Sequence, residues 1–204
     1  MSVENLNVLA SHANFTHKVD WGIDPYDDTP IRSGTMFRPS NASYEYSDGF
    51  VATINTNDRL IELGRASAGD VDLNFSVNSS LLVAVNPDDV SQPNHAAIRI
   101  LLPSGVRGVG AYVSGYRKGV STQTEQDFFI AEMWVRLADS DAVLPCVSAG
   151  RNGYTRPEGQ PPTAPFVGAE STVADIVEVS FDVSLYGNKR FDFVAISELW
   201  LIRS

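Results

Sequence analysis

The chain has 204 residues, 43% of them hydrophobic, and its 25 acidic and 15 basic side chains give a formal net charge of −10. This length suits a single β domain and buries about 70% of the surface that the unfolded chain exposes. The charge argues against nucleic acid and membrane partners, because phosphate and anionic lipid are bound through clustered Lys and Arg. We predict one domain over residues 1–204, with no disulfide framework because Cys146 is the single cysteine.

The start of the chain carries no recognisable targeting signal. Residues 1–20 lack the basic region and the apolar core of a secretory signal, and no apolar run reaches the ~20 residues of a membrane helix. The protein is therefore expected either to stay inside the cell or to be a mature form of a secreted protein, so its localisation is left open.

Hydrophobic periodicity predicts several strands in the first part of the chain. Val71 to Val77 alternates apolar and polar residues, as in a half-buried strand. Ser80 to Val85 and Ala96 to Leu102 are more continuously apolar, as in central strands that are covered on both sides. The glycines of Val106 to Tyr116 indicate a bulge or a close approach of the backbone. Asp58 to Arg65 indicates a short helix or turn.

Three further segments complete the predicted strands. Asp127 to Leu137 fits both a helical and a two-residue period, and its aromatic and β-branched residues favour a strand. Ile176 to Tyr186 alternates most clearly, which predicts that Glu178 and Asp182 face water. Phe191 to Ile202 is the most hydrophobic segment and is expected to form a central final strand.

Short turns separate these runs, as in Pro103-Ser104-Gly105 and Tyr186-Gly187-Asn188. No alternation of strands with helices occurs, and this favours antiparallel sheets. The sequence therefore predicts an all-β fold, a two-sheet antiparallel β-sandwich. Residues 21–49 and 151–165 lack periodicity and are expected to be long loops, which often carry function.

Three short motifs in the second half of the chain resemble a known group of domains. They are Val109-Gly110-Ala111, Phe166-Val167-Gly168 and the closing segment Phe193-Val194-Ala195-Ile196-Ser197-Glu198-Leu199. This pattern is similar to bacterial β-sandwich domains of surface and secreted proteins, which resemble jelly-roll carbohydrate-binding modules and galactose-binding-like domains. The resemblance implies a jelly-roll sandwich. It covers about half of the chain, and Ser197-Glu198 stands where the relatives have Asp-Asn or Asp-Asp.

Aromatic residues in the predicted loops are the candidate ligand-binding residues. Sugars stack their C–H faces on aromatic rings, and polar groups at the ring edge fix their orientation. The candidates are Trp21, Tyr26, Tyr44, Tyr46, Arg151 and Tyr154, whereas Trp134 and Trp200 are expected in the core. Together with the resemblance, these residues predict a non-catalytic module that binds carbohydrate.

Two other function classes stay open. A structural or assembly protein needs no small ligand, and the oligomeric state is not predicted. A glycan-active hydrolase would need two carboxylates facing one cleft. No Gly-x-Ser-x-Gly or phosphate-binding loop occurs, and the three histidines stand alone in the sequence, so no catalytic residue is predicted and the chain is not expected to be an enzyme.

A structural calcium ion is the one cofactor that the sequence indicates. One cysteine and scattered histidines exclude a structural zinc site. Hard cations take clustered carboxylates and loop carbonyls, so Asp24, Asp27 and Asp28 are candidate ligands. The jelly-roll resemblance adds Glu198, because such modules often hold calcium near the chain ends. The alternative is an acidic turn in solvent.

Overall fold

The computed structural model describes residues 6–9, 11–19, 21, 36–37, 42–45, 51–54, 62–67, 75, 80–85, 98–116, 128–138, 140, 143–146, 152–154, 164–173, 175–185 and 193–203. Their strands are β1 (Leu6–Leu9), β2 (His17–Val19), β3 (Met36–Phe37), β4 (Ala42–Glu45), β5 (Val51–Ile54), β6 (Glu62–Ser67), β7 (Ser80–Val85), β8 (Ile98–Leu101), β9 (Val106–Tyr116), β10 (Phe128–Leu137), β11 (Val143–Cys146), β12 (Asn152–Tyr154), β13 (Phe166–Ser171), β14 (Ile176–Leu185), β15 (Phe193–Ile196) and β16 (Leu199–Arg203). None of these residues is helical, so this part of the chain contains no helix that could cross a membrane.

The strands form two antiparallel sheets. Sheet I has the order β1-β13-β9-β15-β7-β6-β3, and β16 pairs with both β9 and β2. Sheet II has the order β11-β10-β14-β8-β5-β4, and β12 pairs with β10. Six strands of the second half alternate between the sheets in chain order, since β8, β10 and β14 belong to sheet II while β9, β13 and β15 belong to sheet I. The predicted antiparallel β-sandwich of jelly-roll type is confirmed.

The core lies between the two sheets and follows the two-residue period of the strands. Val109, Ala111 and Val113 of β9 are fully buried, and β14 packs against this strand from sheet II. Every second residue of β10 from Phe129 to Leu137 is also buried at 1% exposure or less. The strand prediction for this ambiguous segment is therefore correct.

β9 organises sheet I because it pairs with three strands. One edge of β9 pairs with β13, and the other edge pairs with β16 and then with β15. At Gly108 and Gly110 an added Cβ would lie 2.6 Å from Ile202 and Phe166 respectively, so the predicted close approach is present. β9 follows the predicted turn, where Gly105 has a φ of 86° and its N–H donates to Asp175 Oδ2 at 2.6 Å.

The predicted final strand is divided in two. Ile196 pairs with Val113 of β9, and Trp200 pairs with Gly110 of β9. Three residues separate Ile196 from Trp200, whereas two residues separate Gly110 from Val113, so the late segment contains one extra residue. This bulge ends β15 and starts β16. The Ser197 N–H donates to Tyr112 O at 3.0 Å, so the bulge keeps a ladder hydrogen bond. The segment is central in sheet I, as expected, but it is not one continuous strand.

Two other sequence predictions need correction. The short helix or turn expected at Asp58 to Arg65 is wrong at its end, because Glu62–Ser67 pairs with β7 as a strand. The β8 segment is covered on one side only, since Ile98 and Ile100 are buried while Arg99 and Leu101 are half-buried. Both predictions used local sequence, whereas sheet neighbours decide the structure. Of the strand predicted at 71–77, only Phe75 belongs to the described residues, where it is buried in a bend.

Candidate functional site

Trp21 belongs to the core rather than to a ligand site. It was predicted as a loop aromatic, but its side chain is 0% exposed. Its indole N–H donates to the Ser197 carbonyl oxygen at 2.6 Å, so it satisfies a backbone acceptor in the bulge between β15 and β16. A ring without exposed surface cannot stack on a sugar, and Trp21 is therefore removed from the candidate site.

Two of the predicted tyrosines, Tyr44 and Tyr154, lie on widely separated strands of sheet II. Tyr44 lies in β4 and Tyr154 lies in β12, which pairs with β10 at Phe128. The strands β10, β14, β8 and β5 separate them across sheet II. Five inter-strand spacings of about 4.8 Å place these strands about 24 Å apart. Tyr26, Tyr46 and Arg151 lie outside the described residues.

The proposed calcium ligands are not tested by this structure. Asp24, Asp27 and Asp28 lie outside the described residues, whereas Glu198 lies within them. Glu198 Oε1 is 3.9 Å from Lys18 Nζ. Within the described ranges, no three His, Cys, Asp or Glu side chains converge as metal ligands would. Calcium binding stays a prediction.

Trp134 lies on the outer surface of sheet II, the side of β10, β14 and β8 that faces away from the core. It was expected in the core, but its neighbours Met133 and Val135 occupy the buried positions and Trp134 itself is half-buried. Trp134 pairs with Ser180 of β14, and Ser180 pairs with Arg99 of β8. A row of one aromatic and two polar side chains therefore crosses three strands of this surface.

A cluster of three charged side chains includes Arg99 of this row. Arg99 donates from Nε to Glu178 Oε1 at 2.6 Å and from Nη2 to Glu178 Oε2 at 2.7 Å. Arg136 donates from Nε and Nη2 to Glu178 Oε2, at 3.2 and 3.1 Å. We call these residues the Arg–Glu–Arg cluster. It holds two guanidinium groups in fixed positions on the outer surface of sheet II, and Arg136 lies two residues from Trp134 on β10.

The cluster keeps Glu178 charged although it is nearly buried. Glu178 is 4% exposed, and burial alone would raise its pKa. The hydrogen bonds from Arg99 and Arg136, together with their charges, outweigh burial and lower the pKa below its ordinary value. The hydrogen bond to Glu178 likewise raises the pKa of Arg99. The expectation that Glu178 faces water is therefore wrong, because the arginine side chains cover it.

Two further carboxyl groups lie on the other side of Trp134. Glu132 of β10 pairs directly with Asp182 of β14, and Ser184 Oγ donates to Glu132 Oε2. Asp182 is 7% exposed and accepts a hydrogen bond from the Val183 N–H at 2.7 Å. Burial, with the nearby charge of Glu132, raises the pKa of Asp182 to about 7. We call Glu132 and Asp182 the carboxyl pair, and the prediction that Asp182 faces water is also wrong.

This arrangement can hold a polyhydroxylated ligand. The indole offers an apolar face, the Arg–Glu–Arg cluster offers N–H donors on one side, and the carboxyl pair offers acceptors on the other. Such a combination orients a ring that has both C–H and O–H groups. One sequence signal could have revealed it: Glu132 and Arg136 lie two residues on either side of Trp134, so all three share one side of the strand.

A cluster of aromatic side chains lies on the outer side of sheet I, where it packs an N-terminal segment against the sheet. The His12 ring stacks on Trp200 with centroids 4.4 Å apart, and Lys18 Nζ lies 5.8 Å from the Trp200 ring centroid. His12 Nδ1 is also hydrogen bonded to Tyr112 OH at 3.0 Å. Because protein side chains already contact the Trp200 ring, this cluster fastens residues 11–19 onto the sheet.

The chain matches no family model, and no curated protein is similar to it in sequence. The CBM22-1 xylan-binding domain of Paenibacillus barcinonensis Xyn10C is similar in structure, with a TM-score of 0.38 and 7% identity over 85% of this chain and 99% of that domain. A family 43 arabinoxylan arabinofuranohydrolase from Bacillus subtilis in complex with cellotetraose has a TM-score of 0.34 and 12% identity, over 86% of this chain and 29% of the hydrolase. CsCBM6-3 from Clostridium stercorarium in complex with cellobiose has a TM-score of 0.20 and 13% identity, over 84% of this chain and 88% of that module.

Proposed function

We propose that this chain is a non-catalytic module that binds carbohydrate on the outer surface of sheet II. The observation that carries the proposal is the position of Trp134. The indole is half-buried on a central strand, away from the core, between charged and hydroxyl side chains. A partly exposed tryptophan near ordered polar groups supplies the apolar surface and the hydrogen-bonding groups that sugar binding uses.

The rigidity of the surrounding side chains supports the proposal. Glu178 accepts four hydrogen bonds from Arg99 and Arg136. Groups that are already ordered lose little conformational entropy when a ligand binds. The backbone around Trp134 is equally constrained, because β10 pairs with β14 on one edge and with β11 and β12 on the other.

Affinity gel electrophoresis with a panel of neutral and acidic polysaccharides tests the proposal. We expect the wild-type protein to be retarded by at least one polysaccharide, and Trp134→Ala to weaken that binding about tenfold or more, which corresponds to about 1.4 kcal/mol. Tyr112→Phe is the matched control, because it alters an aromatic residue on sheet I and should leave binding unchanged. Migration unaffected by every polysaccharide, or an equal affinity of folded Trp134→Ala, would contradict the proposal.

The carboxyl pair favours glycoside hydrolysis as a second candidate. Direct cross-strand neighbours have Cβ atoms about 5 Å apart, and Glu132 and Asp182 are such a pair. Retaining glycosidases use two neighbouring carboxyl groups, of which one holds a proton at neutral pH. Against this, Asp182 is 7% exposed, which limits its reach toward a glycosidic oxygen. Release of reducing ends by the wild-type protein but not by Asp182→Asn would favour the hydrolase.

A further inference from the structure

We infer that the site prefers glycans that carry carboxylate groups, and that Arg136 binds the carboxylate. This inference rests on the proposed sugar site over Trp134. It adds the chemical class of the ligand, an acidic sugar such as a uronate, and assigns one side chain to its recognition.

The charge of the Arg–Glu–Arg cluster is the first observation. Two guanidinium groups share one carboxylate, so the three side chains carry a formal charge of +1. The whole chain has a formal net charge of −10. Such a locally positive group on an acidic protein attracts an anionic ligand group.

The geometry of Arg136 is the second observation. Arg136 uses Nε and Nη2 to contact Glu178, which leaves three of the five N–H donors of a guanidinium group. No other described residue accepts a hydrogen bond from Arg136, and none of its nitrogens is among the buried atoms without a partner. Its side chain is 32% exposed. Solvent therefore reaches Nη1, and a ligand carboxylate can replace that solvent.

The position of Arg136 relative to Trp134 is the third observation. The two residues lie on the same side of β10, two positions apart. This spacing corresponds to about 7 Å along a strand. A pyranose ring stacked on Trp134 would hold its exocyclic carboxylate within reach of Arg136, and a guanidinium group can bind such a carboxylate through charge-assisted hydrogen bonds.

The carboxyl pair sets the orientation of the ligand. Glu132 lies two positions from Trp134 on the opposite side from Arg136. A ligand carboxylate near Glu132 and Asp182 would meet like charge, whereas sugar hydroxyl groups could donate hydrogen bonds there. Attraction at one end and repulsion at the other together select one direction for an acidic sugar.

The test compares polygalacturonate with the same polymer after chemical reduction of its carboxyl groups to neutral alcohols. Glucuronoxylan and its carboxyl-reduced form serve as a second matched pair. Binding is measured by isothermal titration calorimetry at low and high salt. We expect the wild-type protein to bind one acidic polymer about tenfold more tightly than its reduced form, and salt to diminish this preference.

Substitution of Arg136 separates ligand recognition from a purely structural role. We expect Arg136→Gln to abolish the preference, so that the variant binds the acidic polymer and its reduced form with equal affinity. Arg136→Lys keeps the positive charge but lacks the planar guanidinium group, so it should retain part of the preference for the acidic polymer. If Arg136→Gln does not fold, Arg136→Lys provides the test. Circular dichroism checks the fold of both variants.

Failure of the inference is distinguishable from failure of the proposed function. Equal wild-type affinity for acidic and reduced polymers overturns the inference and leaves the sugar site standing. The same holds if folded Arg136→Gln loses affinity for both forms equally. Absence of binding to every polymer, acidic or neutral, refutes the sugar site itself and the inference with it.

Discussion

The ring of Phe166 lies directly over Gly110, where a Cβ atom would be 2.6 Å from Phe166 Cζ. Gly168, which pairs with Gly110 across the sheet, is covered by the same ring, and its Cβ would be 2.7 Å from Phe166 Cε1. The side chain of one residue on β13 therefore fills the space of two missing side chains, which explains glycine at both positions.

Gly168→Ala should destabilise the protein by about 1–3 kcal/mol, because the added methyl group has no space under the Phe166 ring. Urea unfolding of the variant measures the change. In the double variant Gly168→Ala with Phe166→Leu, the cost of the alanine should be smaller than in the wild-type background. Strictly additive changes would show that the ring is not the obstacle. Phe166→Leu should recover less of the stability that Gly110→Ala loses, because the added Cβ at Gly110 would also lie 2.9 Å from the Val167 carbonyl oxygen.

Trp21→Phe should cost about 1–3 kcal/mol of unfolding free energy, because the Ser197 carbonyl would lose the indole N–H that contacts it in the core. Trp200→Phe is a matched control. The Trp200 Nε1 atom is buried and has no hydrogen-bond partner among the described residues, so its removal should cost less. Equal losses in the two variants would indicate that ring volume, not the hydrogen bond of Trp21, provides the stability.

Glu178→Gln should destabilise the protein near neutral pH by about 1–3 kcal/mol, since it leaves two guanidinium groups without their shared carboxylate. Partial exposure of both arginines reduces this cost below that of a fully buried pair. The pKa of Glu178 is lowered in the folded state, so its contribution is present above the ordinary value of 4.5 and is lost as the pH falls below it.

The difference between wild type and Glu178→Gln should therefore shrink between pH 6 and pH 3. Urea unfolding at both pH values measures it. Ser180→Ala, a neutral change on the same side of β14, should show no such convergence with the wild type. A constant difference at both pH values would contradict the assigned charge of Glu178.

Asp182→Asn should have the opposite pH dependence. The pKa of Asp182 is raised from 3.8 to about 7, so the folded protein holds a proton that the unfolded chain releases between these values. Wild-type stability should fall as the pH rises through this window, by at most about 4 kcal/mol. The variant should match the wild type near pH 4 and be more stable at pH 8. Unfolding curves that stay parallel from pH 4 to pH 8 would exclude a raised pKa.

Much of the fold could be predicted because sheet faces repeat every two residues. The alternation at β14 correctly places Val179, Phe181 and Val183 in the core. The bulge after Ile196 could not be predicted, since it depends on which part of β9 lies opposite. The strand at Glu62–Ser67 could not be predicted either, because it exists through pairing with β7.

The site was harder to predict than the fold because exposure depends on neighbouring strands. Trp21, which lies in a polar segment and was expected in a loop, is buried in the core. Trp134, which lies in an apolar segment and was expected in the core, lies on the outer surface of sheet II. Glu178 and Asp182 were placed on the correct side of β14, but Glu178 is covered by Arg136 of β10 and Arg99 of β8. Residue-by-residue periodicity contains no information about such coverage.

The pairing of the earliest strands has a consequence for synthesis on the ribosome. β1 pairs with β13, and β2 pairs with β16, so both wait for partners made more than a hundred residues later. Until then their backbone amides remain open to other chains, and closure of such distant pairs is slow. Sheet I is therefore expected to be completed only after β16 has been synthesised, when β2 can pair with it.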